Sequence, residues 1–237
     1  METGVPTTRG SREVILDADA KLAFIHIPNC GGTTLKKALL PLHNRFSVNV
    51  PIQVPIEYSI RHDKELLINP NEIKSSPMDH LPANYAPPGY DTITIIKNPF
   101  HREVSAYHLF LFYKTHGMFV HNINFNTFGD FIKLKYLSPP DTKIALSTTG
   151  RWRERNCAWY MKQCNEVVNN FIVPIENIAL QWAELAYRYN LPEDAFGQRD
   201  NRHTPIDIDY RSLYTPELVD IVQQGTADCG AFGYTFE

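Results

Sequence analysis

The sequence predicts an α/β fold, a central parallel sheet with helices on both faces. Two apolar runs, LAFIHI at 22–27 and TITII at 92–96, read as strands buried on both sides. Each breaks at a turn and resumes as residues with helical spacing. A third apolar stretch, FIV at 171–173, lies between helical patterns, and strands that alternate with helices pair in parallel.

In chain order, residues 1–20 are polar and are expected to form a flexible lead, with 21–237 as a single domain. A chain of 237 residues suits one α/β domain with decorated loops. The first strand gives way at Pro28-Asn29-Cys30-Gly31-Gly32, and helical spacing follows over 33–42. Residues 43–90, rich in Pro and Asn, read as an excursion rather than a second domain. After the second strand, Asn98 offers an N-cap and Pro99 a first-turn proline, which predicts a helix from 99 to about 114. Further helical patterns fall near 127–137, 154–168, 177–190 and 215–225. The aromatic stretch from Tyr107 to Phe125 reads either as core or as one wall of a pocket.

Composition narrows the function classes. Hydrophobic residues at 43% and charged residues at 21% exclude a disordered chain. Lys plus Arg number 23 against 26 Asp plus Glu, so the chain does not grip nucleic acid through bulk charge. No run approaches the roughly 18 apolar residues of a membrane span, and the first twenty residues lack the apolar core of a signal peptide. Four cysteines, Cys30, Cys157, Cys164 and Cys229, are too few for a disulfide framework. Cys157 and Cys164 fall on one expected helix, about 10.5 Å apart along its axis, beyond bridging distance. A reducing, cytoplasmic setting is the expected address.

Ligands of parallel sheets bind beyond the carboxyl ends of the strands, and two segments there carry the chemistry. In Asn29-Cys30-Gly31-Gly32-Thr33-Thr34 the glycines permit close approach and positive φ, and the helix start that follows presents N–H groups to an anion. The Walker A pattern G-x-x-x-x-G-K-[ST] is absent. An ordinary strand-to-helix turn would look the same if it stood alone. The second segment, Lys97 to Tyr107, sets a cation at a strand end, a capped helix start, and then Arg102 and Ser105 three residues apart. Lys97 and Ser105 offer a charge-assisted grip on a phosphate. The plainer alternative pairs Arg102 with a carboxylate and leaves Ser105 to pack.

Together the two segments resemble the sulfotransferases that use 3′-phosphoadenylyl sulfate (PAPS). That family's F-I-H-I-P-K-T-G-G-T-S-L is similar to Phe24 through Leu35, and its R-N-P-x-x-R-x-x-S-x-Y to Lys97 through Tyr107. A late Glu-Asn segment at Ile175-Glu176-Asn177-Ile178, the stretch Tyr210 to Leu218 and the terminal Phe232-Gly233-Tyr234-Thr235-Phe236 extend the likeness over about 21–237. It is closest to the carbohydrate-type branch and its bacterial relatives, with no Golgi membrane anchor expected. The resemblance implies a P-loop-like three-layer fold, PAPS as donor and PAP as product. It implies that Asn29, Cys30, Gly31, Gly32, Thr33 and Thr34 hold the 5′-phosphosulfate, that Lys97 and Ser105 hold the 3′-phosphate, and that Arg202 lies in a basic loop at the cofactor. No metal is implied.

Two departures bear on activity. Asn29 stands where the family has a lysine that stabilises charge on the leaving oxygen, and losing such a group costs about 3 kcal/mol of barrier. Lys36 or Lys37 are substitutes to weigh, against a solvated helix face. Lys97 in place of arginine keeps the charge but loses the two-pronged geometry. In-line sulfuryl transfer also needs a base near neutral pH, which suits histidine. His80, in an H-L-x-A stretch like that of relatives, is the candidate, with His62 and Glu57 behind it. The acceptor is expected to be a hydroxyl or amine of a small molecule or carbohydrate. The alternatives are a PAP- or PAPS-binding protein with weak or lost transfer, and a small-metabolite P-loop kinase.

Overall fold

The computed structural model describes residues 15–17, 20–32, 34–35, 46–47, 89–115, 125–138, 156–161, 170–196 and 208–237. The described strands are β1 (Ile15–Asp17), β2 (Leu22–Ile25), β3 (Phe46–Ser47), β4 (Asp91–Ile96) and β5 (Asn170–Pro174), in one sheet ordered β3-β1-β2-β4-β5. The described helices are α1 (Pro99–Thr115), α2 (Phe128–Leu137), α3 (Cys157–Met161), α4 (Ile178–Tyr189), α5 (Pro216–Gly225) and α6 (Asp228–Phe232).

β2, β4 and β5 pair in parallel, Phe24 opposite Ile93 and Ile93 opposite Phe171. β1 and β3 add to them antiparallel on one side. The sheet is therefore mixed: β2, β4 and β5 form the parallel part that the sequence predicts, and the antiparallel β1 and β3 extend it. β1 also lies inside the stretch expected to be a flexible lead. At three and two residues, β1 and β3 are too short to show a period in the sequence.

Alternation along the parallel strands sets two faces. Phe24, Ile93, Ile95 and Val173 pack with Trp182, Leu185, Ala186 and Tyr189, the i, i+3, i+4, i+7 stripe of α4. Ala23, Ile25, Thr92 and Thr94 on the opposite face are buried as well. A hydroxyl bond from Tyr189 to Asp91 ties α4 to the start of β4. α4 stops at Asn190, whose φ of 50° is the left-handed conformation that asparagine tolerates.

A second core joins α1, α2 and α5. Tyr107, Phe110, Phe125, Phe128 and Phe131 meet there mostly edge to face, with centroids 5.4 to 5.9 Å apart. Tyr107, Phe110 and Phe125 of the 107–125 stretch thus belong to this core. α2 begins with a capping box in which the Thr127 hydroxyl accepts from Asp130 N–H (3.1 Å) and the Asp130 carboxylate from Thr127 N–H (3.0 Å). Those bonds, after one from Asn126 N–H, hold the Asp130 carboxyl below its usual range. None of the described helices is long and apolar enough to cross a membrane.

This core encloses an ion pair. Lys135 Nζ lies 2.6 Å from both carboxylate oxygens of Glu103, and Tyr136 OH donates to Glu103 Oε1 at 3.0 Å. Burial pushes the Lys135 ammonium down, and Glu103 recovers part of its charge. Removing one partner strands the other charge. We expect Lys135→Met to destabilise the fold by about 3–5 kcal/mol, and the double change Glu103→Leu, Lys135→Met to cost far less. Urea unfolding of the three proteins checks this, and equal losses would contradict it.

Candidate functional site

β2, β4 and β5 run in parallel, so their carboxyl ends fall on one edge of the sheet, and the segments that leave them meet. After β2 the chain turns through Pro28, Asn29, Cys30 and Gly31 and becomes helical by Gly32. Two residues of that turn are left-handed, Asn29 at φ 63° and Gly31 at φ 84°. Gly31 also packs closely, since a Cβ there would lie 2.7 Å from Ile175 Cδ1, just beyond β5, and that methyl would have to move aside. At Gly32 a Cβ would come within 2.0 Å of the His26 ring. That ring stacks on Phe24. The expected helix over 33–42 is seen at Thr34 and Leu35.

After β4, Asn98 caps α1 as its sequence position predicts, its Oδ1 accepting from Phe100 N–H at 2.9 Å. Lys97 and Ser105 come together, Lys97 Nζ donating to Ser105 Oγ at 2.8 Å. The Ser105 hydroxyl also donates to the carbonyl of His101 at 3.2 Å. Lys97 is buried and Ser105 half-buried.

Arg102 takes the plainer of its two expected roles. Its Nη1 lies 3.5 Å from Asp228 Oδ2. Its Nε donates to the Pro28 carbonyl at 3.1 Å. Thus the helix that follows Lys97 and carries Ser105 also grips the turn after β2. Burial works against the Arg102 charge, but the carboxylates of Asp228 and Glu103 favour it, and the guanidinium stays protonated.

Cys30 points inward, its Sγ 3.8 Å from Cys157 Sγ with both residues fully buried. Burial alone would push the Cys30 thiol up, but the Cys157 bond and the charges of Arg102 and Lys97 hold it below its ordinary value. Cys157 moves the other way, raised by its bond to Cys30 and by burial.

Glu176, just after β5, closes the edge. Its Oε1 accepts from Asn98 N–H at 2.7 Å, and Tyr234 OH donates to its Oε2 at 3.2 Å. Asn98 Nδ2 reaches the Thr235 carbonyl at 3.0 Å, so the terminal aromatic segment is tied to the head of α1. Phe236 fills the space beside Phe100 and Tyr214.

Of the sequence-predicted site residues, Asn29, Cys30, Gly31, Gly32 and Thr34 lie on the first turn, with Lys97 and Ser105 on the neighbouring one. Thr33, His80 and Arg202 lie outside the described residues, as do Lys36, Lys37, His62, Glu57 and Cys164. Asp228 was not anticipated, because its partners are distant in sequence and its short helix, α6, carries no periodic signal. Among the described residues no group of three His, Cys, Asp or Glu side chains could hold a metal ion.

The family model described as "Sulfotransferase family" matches residues 12–172, more than half of the chain. The match takes in both turns and α1, and it ends before Glu176 and Asp228. No curated protein and no solved structure matches the chain.

The close packing at Gly32 yields a coupling test. Gly32→Ala is expected to destabilise the protein by about 1–3 kcal/mol, as overpacking does. In the double variant with His26→Ala most of that cost should vanish, so the two changes should be strongly non-additive. Strict additivity in urea unfolding would show that the ring does not set the limit.

Proposed function

Because the chain belongs to the sulfotransferase family, we propose that it moves a sulfuryl group from PAPS to a hydroxyl or amine of a small-molecule or carbohydrate acceptor. The observation that supports this reading is the joining of the two turns at neighbouring parallel strand ends, through the bond from Arg102 to the Pro28 carbonyl. A donor with a phosphate at each end needs two such cradles side by side. The chemistry of the side chains fits: a lysine and a hydroxyl 2.8 Å apart at one turn, and a glycine-bearing helix start at the other.

PAPS supplies the activated sulfuryl group. In this reading the main chain of Cys30 to Gly32, with Thr33 and Thr34, orients the 5′ end, Lys97 and Ser105 hold the 3′-phosphate, and Arg202 adds positive charge. Asn29 donates a hydrogen bond toward the leaving oxygen, and His80 takes the proton of the acceptor. Residues 21–237 act as one domain, in a reducing cytosol that suits the free thiols of Cys30 and Cys157.

One observation favours a second reading, a PAP-binding protein with weak transfer. Asn29 is uncharged and sits at φ 63°, a conformation that asparagine tolerates better than lysine.

Calorimetry with PAP and with ATP tests the donor. PAP should bind and ATP should bind far more weakly, and the reverse would overturn the reading. Lys97→Ala should weaken PAP by about 10- to 100-fold, the worth of a charged hydrogen bond. Incubation with labelled PAPS and a panel of alcohols and amines then separates transfer from binding alone. His80→Ala should abolish most of any activity found. Asn29→Lys should raise the rate while costing about 1 kcal/mol of stability for its left-handed backbone, and a slower variant would mean that another group already fills that role.

A further inference from the structure

Asp228 is fully buried and collects three donors. Arg102 Nη1 is 3.5 Å from its Oδ2, Cys157 N–H donates to Oδ2 at 3.0 Å, and Ala158 N–H donates to Oδ1 at 2.7 Å. One carboxylate thereby joins α6, the start of α3 and the middle of the first turn of α1. The same Arg102 donates through Nε to the carbonyl of Pro28. Pro28 directly precedes Asn29, and Asn29 and Gly31 hold the two left-handed backbones of the turn.

Such an arrangement is not explained by stability alone. Burying two charges costs several kcal/mol, and a well-packed apolar pair often does as well. Asparagine and glycine take the left-handed backbone readily, so their surroundings decide which conformation the turn keeps. Here the carbonyl at the entrance to the turn is pinned from below by a guanidinium, and that guanidinium is aimed by the carboxylate. The planar fork of arginine suits a side chain that must reach two partners at once.

We propose that Asp228 is a positioning residue that, through Arg102, holds the Pro28–Gly31 turn in the shape that receives the 5′-phosphate of the nucleotide. The inference rests on the PAPS reading above. It predicts a loss confined to one end of the ligand, because Arg102 joins Asp228 to the first turn, whereas the other end is assigned to Lys97 and Ser105.

The experiment compares PAP with adenosine 3′-monophosphate, which lacks the 5′-phosphate, by calorimetry on the full chain. Asp228→Asn should weaken PAP by about tenfold or more, the scale at which small misplacement of a binding group is felt, and should leave adenosine 3′-monophosphate within about twofold. Arg102→Lys keeps the buried charge paired but cannot reach both partners, and it should show the same selective loss if the Asn variant fails to fold. Unchanged PAP affinity, or equal losses for both nucleotides, would overturn the proposal. Failure of the unaltered protein to bind PAP would instead overturn the PAPS reading, and this inference with it.

Discussion

Parallel pairing of β2, β4 and β5 is the constraint on which the site depends, because parallel strands deliver their carboxyl ends to one edge. The register that sets Ile25 opposite Thr94 and Thr94 opposite Ile172 brings three otherwise remote segments within side-chain reach. Gly31 then touches Ile175, Asn98 N–H meets Glu176, and Arg102 reaches Pro28. An antiparallel β4 would send its following helix to the far edge, and none of these contacts would form. The antiparallel additions, β1 and β3, lie away from this junction, on the other side of β2.

Buried charge is spent beneath the site rather than in it. Arg102 with Asp228 and Lys135 with Glu103 branch from consecutive residues of one helix, one pair under the first turn and the other inside the aromatic core. Glu103 also contributes to keeping Arg102 protonated, so the two pairs are electrostatically linked. Their value lies in direction: each replaces a loose contact with a bond of fixed geometry at a point where helix, turn and core meet. Cys30 and Cys157 complete this layer, two buried thiols joined by one hydrogen bond that holds Cys30 down and Cys157 up.

Much of the fold was legible before any coordinates. The buried strands, α1 with its Asn98 cap, and the helices starting near 127, 177 and 215 follow from local patterns of apolar spacing and capping. β1, β3 and α6 were not, since two to five residues carry no readable period. Within the site, the glycine turn and the presence of Lys97 and Ser105 in one segment were visible as motifs, but the bond between those two was not. The inward turn of Cys30 was not, because a loop cysteine looks alike in sequence whether it faces ligand or core.

The sequence by itself determined which segments are strands and helices and which two carry the glycines, the lysine and the hydroxyls on which the proposed function rests, because those properties depend on neighbours within a few residues. Only the tertiary structure decided that the sheet is mixed, that Arg102 turns away to Asp228 and Pro28, and that Glu176 and the terminal aromatics close over the head of α1. Those outcomes depend on which distant groups are brought together as water is excluded. A buried carboxylate takes whatever donors the packing presents, and no local pattern names them.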